Sequence, residues 1–294
     1  MKKNIILIGN PIAGGGALRR IEKAARICET RGHNVQVLLT TRRGDAERFA
    51  REIASEKRND VLVVAAGGDG TYNEVANGLV RSSIPMAILP MGTTSVLAKE
   101  MDMPGDIERA TDMVLNGQIQ SIHLGRITTP VVTRYFLLMA GIGFDGEVVG
   151  KINEKIKRTA GRSAYILSGL SVLFTYRPAP LTVTGKDISL MGYATIVSNA
   201  ACYGGTFKVA PDARLTDPSF YVFVTHKKGR LSLLRYVAGI LGGFHLSFKD
   251  ITYFKTEELT IEGNAPIQID GDYIGNTPAK IEIARHALRL VVRG

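Results

Sequence analysis

The chain has 294 residues, of which 45% are hydrophobic and 22% are charged, a composition typical of a globular protein with one or two domains. Lys and Arg number 37 against 27 Asp and Glu. The resulting net charge of +10 favours an anionic partner: a nucleotide, a nucleic acid or an acidic membrane surface. Nucleic acid ranks lowest of the three, because Trp, a ribonucleoprotein motif and a zinc finger are all absent.

Cysteine and histidine usage excludes two further classes of protein. Cys28 and Cys202 lie in apolar or small-residue stretches, so we interpret both as reduced core residues rather than a disulfide framework. The 5 His residues form no ligand-spaced cluster, so we expect no structural zinc.

The apolar run at residues 5–8 is too short for a signal peptide, and no run reaches the roughly 18 residues of a membrane span. We therefore expect a cytoplasmic protein.

The first part of the chain alternates strand-like and helix-like segments. We predict strands at residues 5–8, 35–39, 61–66 and 86–89, and helices at 17–31, at 45–57, after residue 69 and between 105 and 117. The first helix should bury Leu18, Ile21, Ala25 and Cys28, and Asp45 should cap the second. Repeated β-α-β units imply a doubly wound parallel sheet, with ligands at the carboxyl ends of its strands.

Strand-like runs dominate after about residue 127. They lie at 131–139, 181–184, 193–198, 220–225, 258–261, 267–269 and 280–283, with helices predicted near 146–176 and 231–239. We therefore predict an α/β nucleotide-binding domain over residues 1–126 and a mainly antiparallel β-sandwich over residues 127–294. The last segment, 287–292, could pair with either domain.

The segment from Asp60 to Val75 carries the most chemical information. A β-branched, apolar run ends in Gly67-Gly68, then come Asp69 and Gly70. Glycines let the backbone approach a ligand closely, and the start of a helix offers N–H groups to phosphate. Thr71 and Glu74 match a capping box at that helix start. A capping Asp in a tight turn is the simpler interpretation, but three glycines exceed what a turn requires.

Two more loops should reach the same sheet edge. Gly9 to Gly16 nearly matches the P-loop spacing, but Gly15 and Gly16 stand where Lys and Ser or Thr belong, which excludes a true P-loop. Pro90 to Ser95 adds one glycine and three hydroxyl groups, which could bind phosphate or cap a helix.

The later turns are less specific by themselves. Gly141-Ile-Gly143-Phe-Asp145 ends one strand, Gly204-Gly205 and a loop at 210–217 follow, and Asp270-Gly-Asp272 ends another strand. A lone Asp-Gly-Asp is more often a hairpin turn than a site.

Taken in this order, these motifs resemble the soluble bacterial diacylglycerol kinase family, which is related to sphingosine and ceramide kinases. The resemblance rests on Asn10-Pro11 with its glycines, GGDGT followed by Asn73-Glu74-Val75, Pro90-x-Gly92-Thr93, and the later turns of residues 141–145, 204–211 and 270–272. GGDGT with this continuation is highly specific, and the match runs essentially end to end.

The resemblance implies ATP-dependent phosphorylation of a lipid hydroxyl, in a two-domain fold similar to that of NAD kinase with the site in the cleft between the domains. It also implies roles for residues. Those that would hold ATP are Asn10, Pro11, Ile12, Ala13, Gly14, Thr40, Gly68, Asp69, Gly70, Thr71, Tyr72, Asn73, Glu74 and Thr93. Asp272 would be the catalytic carboxylate, Asp69 would serve the nucleotide–Mg²⁺ centre, and Asp217 with main-chain groups of Arg214 and Ser219 would hold a structural Mg²⁺.

The chain departs from the family pattern at four positions. Ser95-Val96 stand where Asn-Asp is common, His123 replaces a second acid of the Mg²⁺ network, Asp272 replaces Glu, and Pro218 replaces Gly. Losing two acids is expected to weaken Mg²⁺ binding or to shift the position of the lipid.

Two basic-apolar segments could bring the protein to an anionic membrane as a peripheral protein. One joins Lys151 to Arg158 and Arg162 with the apolar residues 164–174, and the other joins residues 227–230 with the apolar residues 231–241. The alternative is that both apolar runs pack on the sheet and the charges are merely solvated.

Two other functions stay open at this stage. NAD kinase shares GGDGT, although it does not ordinarily continue with Asn-Glu-Val, and Val96 with His123 would also suit a lipid- or nucleotide-binding regulator with little turnover. The lipid could be diacylglycerol, monoacylglycerol, phosphatidylglycerol, a sphingoid base or a polyprenol, and an edge strand could support a homodimer.

Overall fold

The computed structural model describes residues 3–56, 60–92, 95–151, 172–173, 175–205 and 207–294. The chain divides into two compact units, one formed by Met1–His123 with Arg285–Gly294 and the other by Leu124–Ala284. Thr93 and most of the predicted helical region 146–176 lie outside the described residues.

The first unit is built on parallel strands. Its elements are β1 (Asn4–Gly9), α1 (Ala17–Thr30), β2 (Asn34–Leu39), α2 (Asp45–Ser55), β3 (Val61–Gly67), α3 (Asp69–Leu79), β4 (Pro85–Pro90), α4 (Val96–Glu100), α5 (Ile107–Asn116) and the start of β5 (Gln118–Thr128). The strands run in the order β2-β1-β3-β4, and Arg289 and Leu290 of the chain's last strand pair in parallel with β4.

Alternate strand residues of this unit face opposite layers of helices. Ile5 and Leu7 of β1 pack with α1 and α5 in one core, where Ile21 and Ala110 are fully buried. On the other face α2 packs on α3, and Gly78 is needed there because a Cβ would lie 2.6 Å from that of Ala50. Because β1 pairs in parallel with β3 and β3 pairs in parallel with β4, the carboxyl ends of these three strands lie at one edge of the sheet.

The second unit consists of antiparallel strands. Its elements are the rest of β5, β6 (Thr133–Phe136), β7 (Met139–Ile142), α6 (Phe144–Lys151), β8 (Leu181–Gly185), β9 (Ser189–Gly192), β10 (Ala194–Ser198), β11 (Cys202–Tyr203), β12 (Phe207–Lys208), β13 (Phe220–Thr225), α7 (Arg230–Gly242), a 3-10 turn (His245–Ser247), β14 (Ile251–Thr256), β15 (Glu258–Gly263), β16 (Pro266–Ile269), β17 (Asp272–Asn276) and the start of β18 (Ala279–Val292). One sheet has the order β14-β13-β10-β7-β16-β17. Strands β18, β15, β8 and β9 pair in that order in the opposing layer.

The core of the second unit lies between these layers. Phe136, Phe220 and Ile281 are fully buried within it, and the rings of Phe136 and Phe220 stack at 5.7 Å. The predicted fold class, an α/β domain followed by an antiparallel β-sandwich, is confirmed. Cys28 and Cys202 are both buried, and burial raises the pKa of the Cys28 thiol to about 11, which keeps it protonated.

Helix starts were predicted less well than helix positions. The Thr71–Glu74 capping box is wrong: α3 begins at Asp69 with Gly68 as its N-cap, which leaves Thr71 within the first turn. Asp45 is the first residue of α2 rather than its cap. Its carboxylate accepts hydrogen bonds from the Thr41 N–H and hydroxyl at 2.9 and 2.8 Å, which hold its pKa below the usual range. Leu18 is 40% exposed rather than buried, since Ala17 and Ala24 occupy the core-facing arc of α1.

The predicted strand 131–139 is confirmed only in part: residues 133–136 form β6 and Met139 begins β7, with a break between them. There the N–H groups of Leu137, Leu138 and Met139 donate to the Asp270 carboxylate instead of to a neighbouring strand. The segments predicted at 280–283 and 287–292 form one strand, β18, while β5, β9, β11, β12, β14 and β17 were not predicted.

Candidate functional site

The predicted loops of the first unit meet at the carboxyl edge of its sheet. The Asn10 N–H donates to the Ala66 carbonyl at 2.9 Å, and the Met91 N–H donates to the Gly67 carbonyl at 2.9 Å. A Cβ on Gly14 would lie 3.0 Å from the Met91 carbonyl oxygen, so the first and third loops are in close contact. The expectation that the glycine loops converge is confirmed.

Two helices start at this edge without a side-chain cap from their own N-cap residue. Gly16, at φ 77°, precedes α1, and Gly68 precedes α3, and neither can supply a capping oxygen. The first loop is held in a tight turn because the Asn10 Oδ1 accepts the Ile12 N–H at 3.1 Å. Main-chain N–H groups at such helix starts attract phosphate oxygens.

The predicted residues of the first loop lie on the surface around this turn. Asn10, Pro11 and Ala13 are half-buried, whereas Ile12 and Gly14 are exposed. Thr40, at the end of β2, donates its N–H to the Gly9 carbonyl at 2.8 Å and is half-buried. These residues stand close to the sheet edge, and their predicted contact with ATP stays a prediction.

Asp69 connects its loop to helix α4. One carboxylate oxygen accepts the Ser95 hydroxyl at 3.0 Å and the Leu97 N–H at 3.0 Å, and the other accepts the Val96 N–H at 2.9 Å. Ser95 in turn caps α4 by accepting the Ala98 N–H at 3.1 Å. The side chain at position 96 contributes no ligand, but its main chain still holds Asp69.

The residues after Asp69 divide between surface and scaffold. Gly70 is exposed, while Thr71, Tyr72 and Asn73 are buried. The Tyr72 hydroxyl donates to the Gly67 carbonyl at 3.0 Å, and burial raises its pKa, so it stays protonated and fixes the glycine turn. Asn73 accepts from the Asn77 amide at 3.0 Å, which is a contact within α3.

Glu74 caps a neighbouring helix. Its carboxylate accepts the Gly44 N–H at 2.9 Å and the Ala46 N–H at 3.2 Å, both at the start of α2. The family motif at this position therefore joins α3 to α2 through contacts 30 and 28 residues apart in sequence.

We expect Glu74→Ala to lower the free energy of unfolding by about 1 kcal/mol, since it leaves N–H groups at the start of α2 without their acceptor. Urea denaturation measures this loss. Glu52→Ala, on the exposed face of α2, is the control and should cost less than about 0.5 kcal/mol, because its pair with Arg48 is a surface ion pair. Equal losses in the two variants, or weaker ATP binding by Glu74→Ala with unchanged stability, would contradict the capping role.

In the second unit, Asp270 and Asp272 have different environments on the two sides of Gly271. Asp270, at φ 47°, accepts the N–H groups of Leu137, Leu138 and Met139 at 2.7 to 3.1 Å. Asp272 begins β17 and is half-buried. The turn that carries the predicted catalytic carboxylate is thus held by the acid that precedes it.

Hydrogen bonds among three buried or half-buried polar side chains support the same turn. The Gln268 amide donates to the Asp145 carboxylate at 2.6 Å, and its carbonyl accepts the Gly271 N–H at 2.7 Å. Tyr203 also donates to Asp145, and burial raises the pKa of this carboxyl against those two hydrogen bonds. Sequence analysis assigned no role to Gln268 or Tyr203. A signal for Gln268 existed: it is a polar residue between two isoleucines of a strand.

A lysine side chain pairs with the carboxylate of the predicted structural Mg²⁺ site. The Asp217 carboxylate pairs with the Lys255 ammonium at 2.8 Å, and the Asp217 N–H donates to the Arg214 carbonyl at 2.9 Å. Ser219 is buried beside them. Lys255, which also lies over the Tyr221 ring at 5.4 Å, would compete with a metal ion for Asp217.

His123, which stands where the family pattern has a second acid of the Mg²⁺ network, contacts another histidine. His123 is buried, and its Nδ1 accepts the His286 N–H at 2.9 Å, with the two rings 4.8 Å apart. Over the ranges that the structure describes, no cluster of three or more His, Cys, Asp or Glu side chains could hold a metal ion. The described residues at the predicted positions therefore do not form a preformed carboxylate site for Mg²⁺.

Comparisons with known proteins identify the family of both units. The diacylglycerol kinase catalytic domain model matches residues 4–127, and the YegS C-terminal NAD kinase beta sandwich-like domain model matches residues 139–292. A diacylglycerol kinase from Bacillus subtilis is 30% identical over 97% of this chain and 95% of its own length. One from Staphylococcus aureus is 29% identical over 97% of this chain and 91% of its own length.

Solved structures show the same fold. The crystal structure of a candidate diacylglycerol kinase from Bacillus anthracis superposes with a TM-score of 0.81 at 24% identity, covering 99% of this chain and 95% of that chain. A further structure from that organism gives a TM-score of 0.69 at 20% identity, covering 99% and 97% of the two chains. Because the two domain models together match nearly the whole chain and the Bacillus subtilis relative is 30% identical, the chain belongs to the diacylglycerol kinase family and is a lipid kinase.

Proposed function

We propose that the chain transfers the γ-phosphoryl group of MgATP to the hydroxyl of a diacylglycerol-like lipid. The observation that carries the proposal is the carboxyl edge of the first unit, where glycine loops meet and α1 and α3 start without a cap from Gly16 or Gly68. The acceptor class follows from the relatives, which are named diacylglycerol kinases.

The first unit would bind the nucleotide through its main chain. N–H groups at the starts of α1 and α3 would receive phosphate oxygens, as helix starts and glycine turns commonly do. Asp69 would act at a distance from the phosphates by fixing the start of α4 and with it the third loop. Mg²⁺ enters this proposal as part of the substrate MgATP, where it neutralises phosphate charge.

The second unit would supply the base. As the lipid oxygen forms its bond to the γ-phosphorus, the bond from that phosphorus to the ADP oxygen breaks, and the hydroxyl proton passes to the Asp272 carboxylate. Asp270 and Gln268 would keep the turn in position for this step, because each binds main-chain N–H groups in or next to it.

Transfer of labelled γ-phosphate from ATP, with and without Mg²⁺, tests the proposal. The acceptors are diacylglycerol, monoacylglycerol, phosphatidylglycerol and a sphingoid base in detergent micelles, and NAD in solution. Mg²⁺-dependent labelling of a diacylglycerol-like lipid is the expected result. Labelling of NAD alone would make the chain a NAD kinase, and tight ATP binding without any transfer would make it a regulator.

A further inference from the structure

Helix α7 and the turn after it expose large apolar side chains to solvent. Leu231 is 84% exposed, and Leu234, Leu241, Phe244 and Leu246 are exposed as well. Leu231, Leu234 and Leu241 are three and seven residues apart, so they lie along one side of the helix. Exposed apolar patches of this kind mark contact surfaces more often than isolated exposed residues do.

The opposite side of α7 is anchored to the second unit. Tyr236 and Gly239 are buried, the Tyr236 hydroxyl donates to Asp250 at 2.8 Å, and Arg235 forms an ion pair with the same carboxylate. Arg235 also lies over the Phe248 ring at 4.7 Å. These contacts fix the rotation of the helix about its axis, so the leucines are held outward.

Basic residues flank the apolar side chains in the sequence. Lys227 and Lys228 precede the helix, Arg230 is its first residue, Lys249 follows the turn, and all four are exposed. The sequence contains no Asp or Glu from residue 226 to residue 249. An apolar surface with cationic edges and no intervening acid is complementary to a layer of anionic lipid headgroups over acyl chains.

We propose that this docking surface, made by Leu231, Leu234, Leu241, Phe244 and Leu246 with Lys227, Lys228, Arg230 and Lys249, binds the protein to an anionic lipid bilayer. The leucines and the phenylalanine enter the boundary between headgroups and acyl chains, and the basic side chains contact the headgroups. The inference rests on the proposed function, since a kinase acting on diacylglycerol meets its substrate in a bilayer. Among the described residues no helix is long and apolar enough to cross a membrane.

Co-sedimentation with vesicles tests the surface. The full chain is mixed with vesicles of phosphatidylcholine alone or of phosphatidylcholine and phosphatidylglycerol in equal parts. The variants are Leu231→Ser with Leu234→Ser, and Lys227→Glu with Lys228→Glu. Val131→Ser with Met191→Ser is the control, because these side chains are also exposed and apolar, 89% and 66%, but lie on other loops and strands of the same unit.

We expect the unmodified chain to bind the anionic vesicles at least 10-fold more tightly than the neutral ones, and both test variants to lose at least 10-fold of that affinity. The control should bind like the unmodified chain, and melting temperatures should agree, since all these side chains face solvent. Equal binding by test and control variants overturns the proposal. So does a change from dimer to monomer in the leucine variant with vesicle binding unchanged, because a second copy would then cover the surface.

A parallel kinase assay separates this proposal from the proposed function. Phosphorylation of a short-chain diacylglycerol dissolved as monomers should be the same in all variants, while phosphorylation of long-chain diacylglycerol in anionic vesicles should fall with vesicle affinity. Loss of both activities in the leucine variant would place these residues at the substrate and overturn docking. If no variant phosphorylates lipid but vesicle binding follows the expected pattern, the docking surface stands and the proposed function fails.

Discussion

Asp272→Asn is expected to lower kcat for lipid phosphorylation by roughly 10²- to 10⁴-fold, the usual contribution of a general base. The amide keeps the size of the side chain but cannot accept the proton of the attacking hydroxyl. The melting temperature and the affinity for ATP should stay unchanged, because the nucleotide is expected to bind to loops of the first unit. Initial rates with saturating ATP and lipid measure the loss, and isothermal titration measures nucleotide affinity.

Asp272→Glu provides the conservative comparison. The diacylglycerol kinase family usually carries Glu at this position. The Glu variant should therefore retain substantial activity, whereas the Asn variant should not. If the Asn variant phosphorylates lipid at the unmodified rate, another group must be the base. A loss of kcat accompanied by an equal loss of folded protein would also contradict the assignment, since it would make Asp272 a structural residue.

Asp270→Ala is expected to lower the free energy of unfolding by on the order of 3 kcal/mol, because it removes a charged acceptor from the N–H groups of Leu137, Leu138 and Met139. Those residues are buried, so water cannot replace the carboxylate fully. The position also has φ 47°, a conformation that Asp and Asn adopt more readily than Ala. Chemical denaturation followed by circular dichroism measures the change.

Asp270→Asn should fall between Ala and the unmodified chain, since it keeps one oxygen acceptor and tolerates the backbone conformation. The same Asp-to-Asn change should therefore lower the free energy of unfolding at position 270 and lower kcat at position 272. Asp270→Asn with full stability and no activity would reverse the two roles and remove the structural basis for Asp272 as the base.

Much of the fold was predictable because its signals are local. The β-branched run before Gly67 identified β3, and the alternation of strands and helices identified a parallel sheet whose loops converge at one edge. The order of the glycine motifs identified the family, which the comparisons confirm over nearly the whole chain. Residues 220–225 were predicted as a strand and form β13.

Hydrogen-bond partners were not predictable in the same way. Glu74 was assigned to its own helix, yet its carboxylate binds α2, and Asp270 binds main-chain groups 131 to 133 residues away. The break between β6 and β7 depends on that second contact, so a continuous strand was the reasonable prediction from alternation alone. Nothing in a local pattern indicates which distant donor a carboxylate will meet.

The sequence by itself determined the two kinds of architecture, the loops that gather at the sheet edge of the first unit, and the family, because propensity, periodicity and motif spacing are properties of neighbouring residues. Only the tertiary structure decided that Asp69 holds α4, that Gln268 and Asp270 support the Asp272 turn, that Lys255 pairs with Asp217, and that one side of α7 faces solvent. Each of these depends on which surfaces become adjacent when distant segments pack, and side-chain partners are fixed only then.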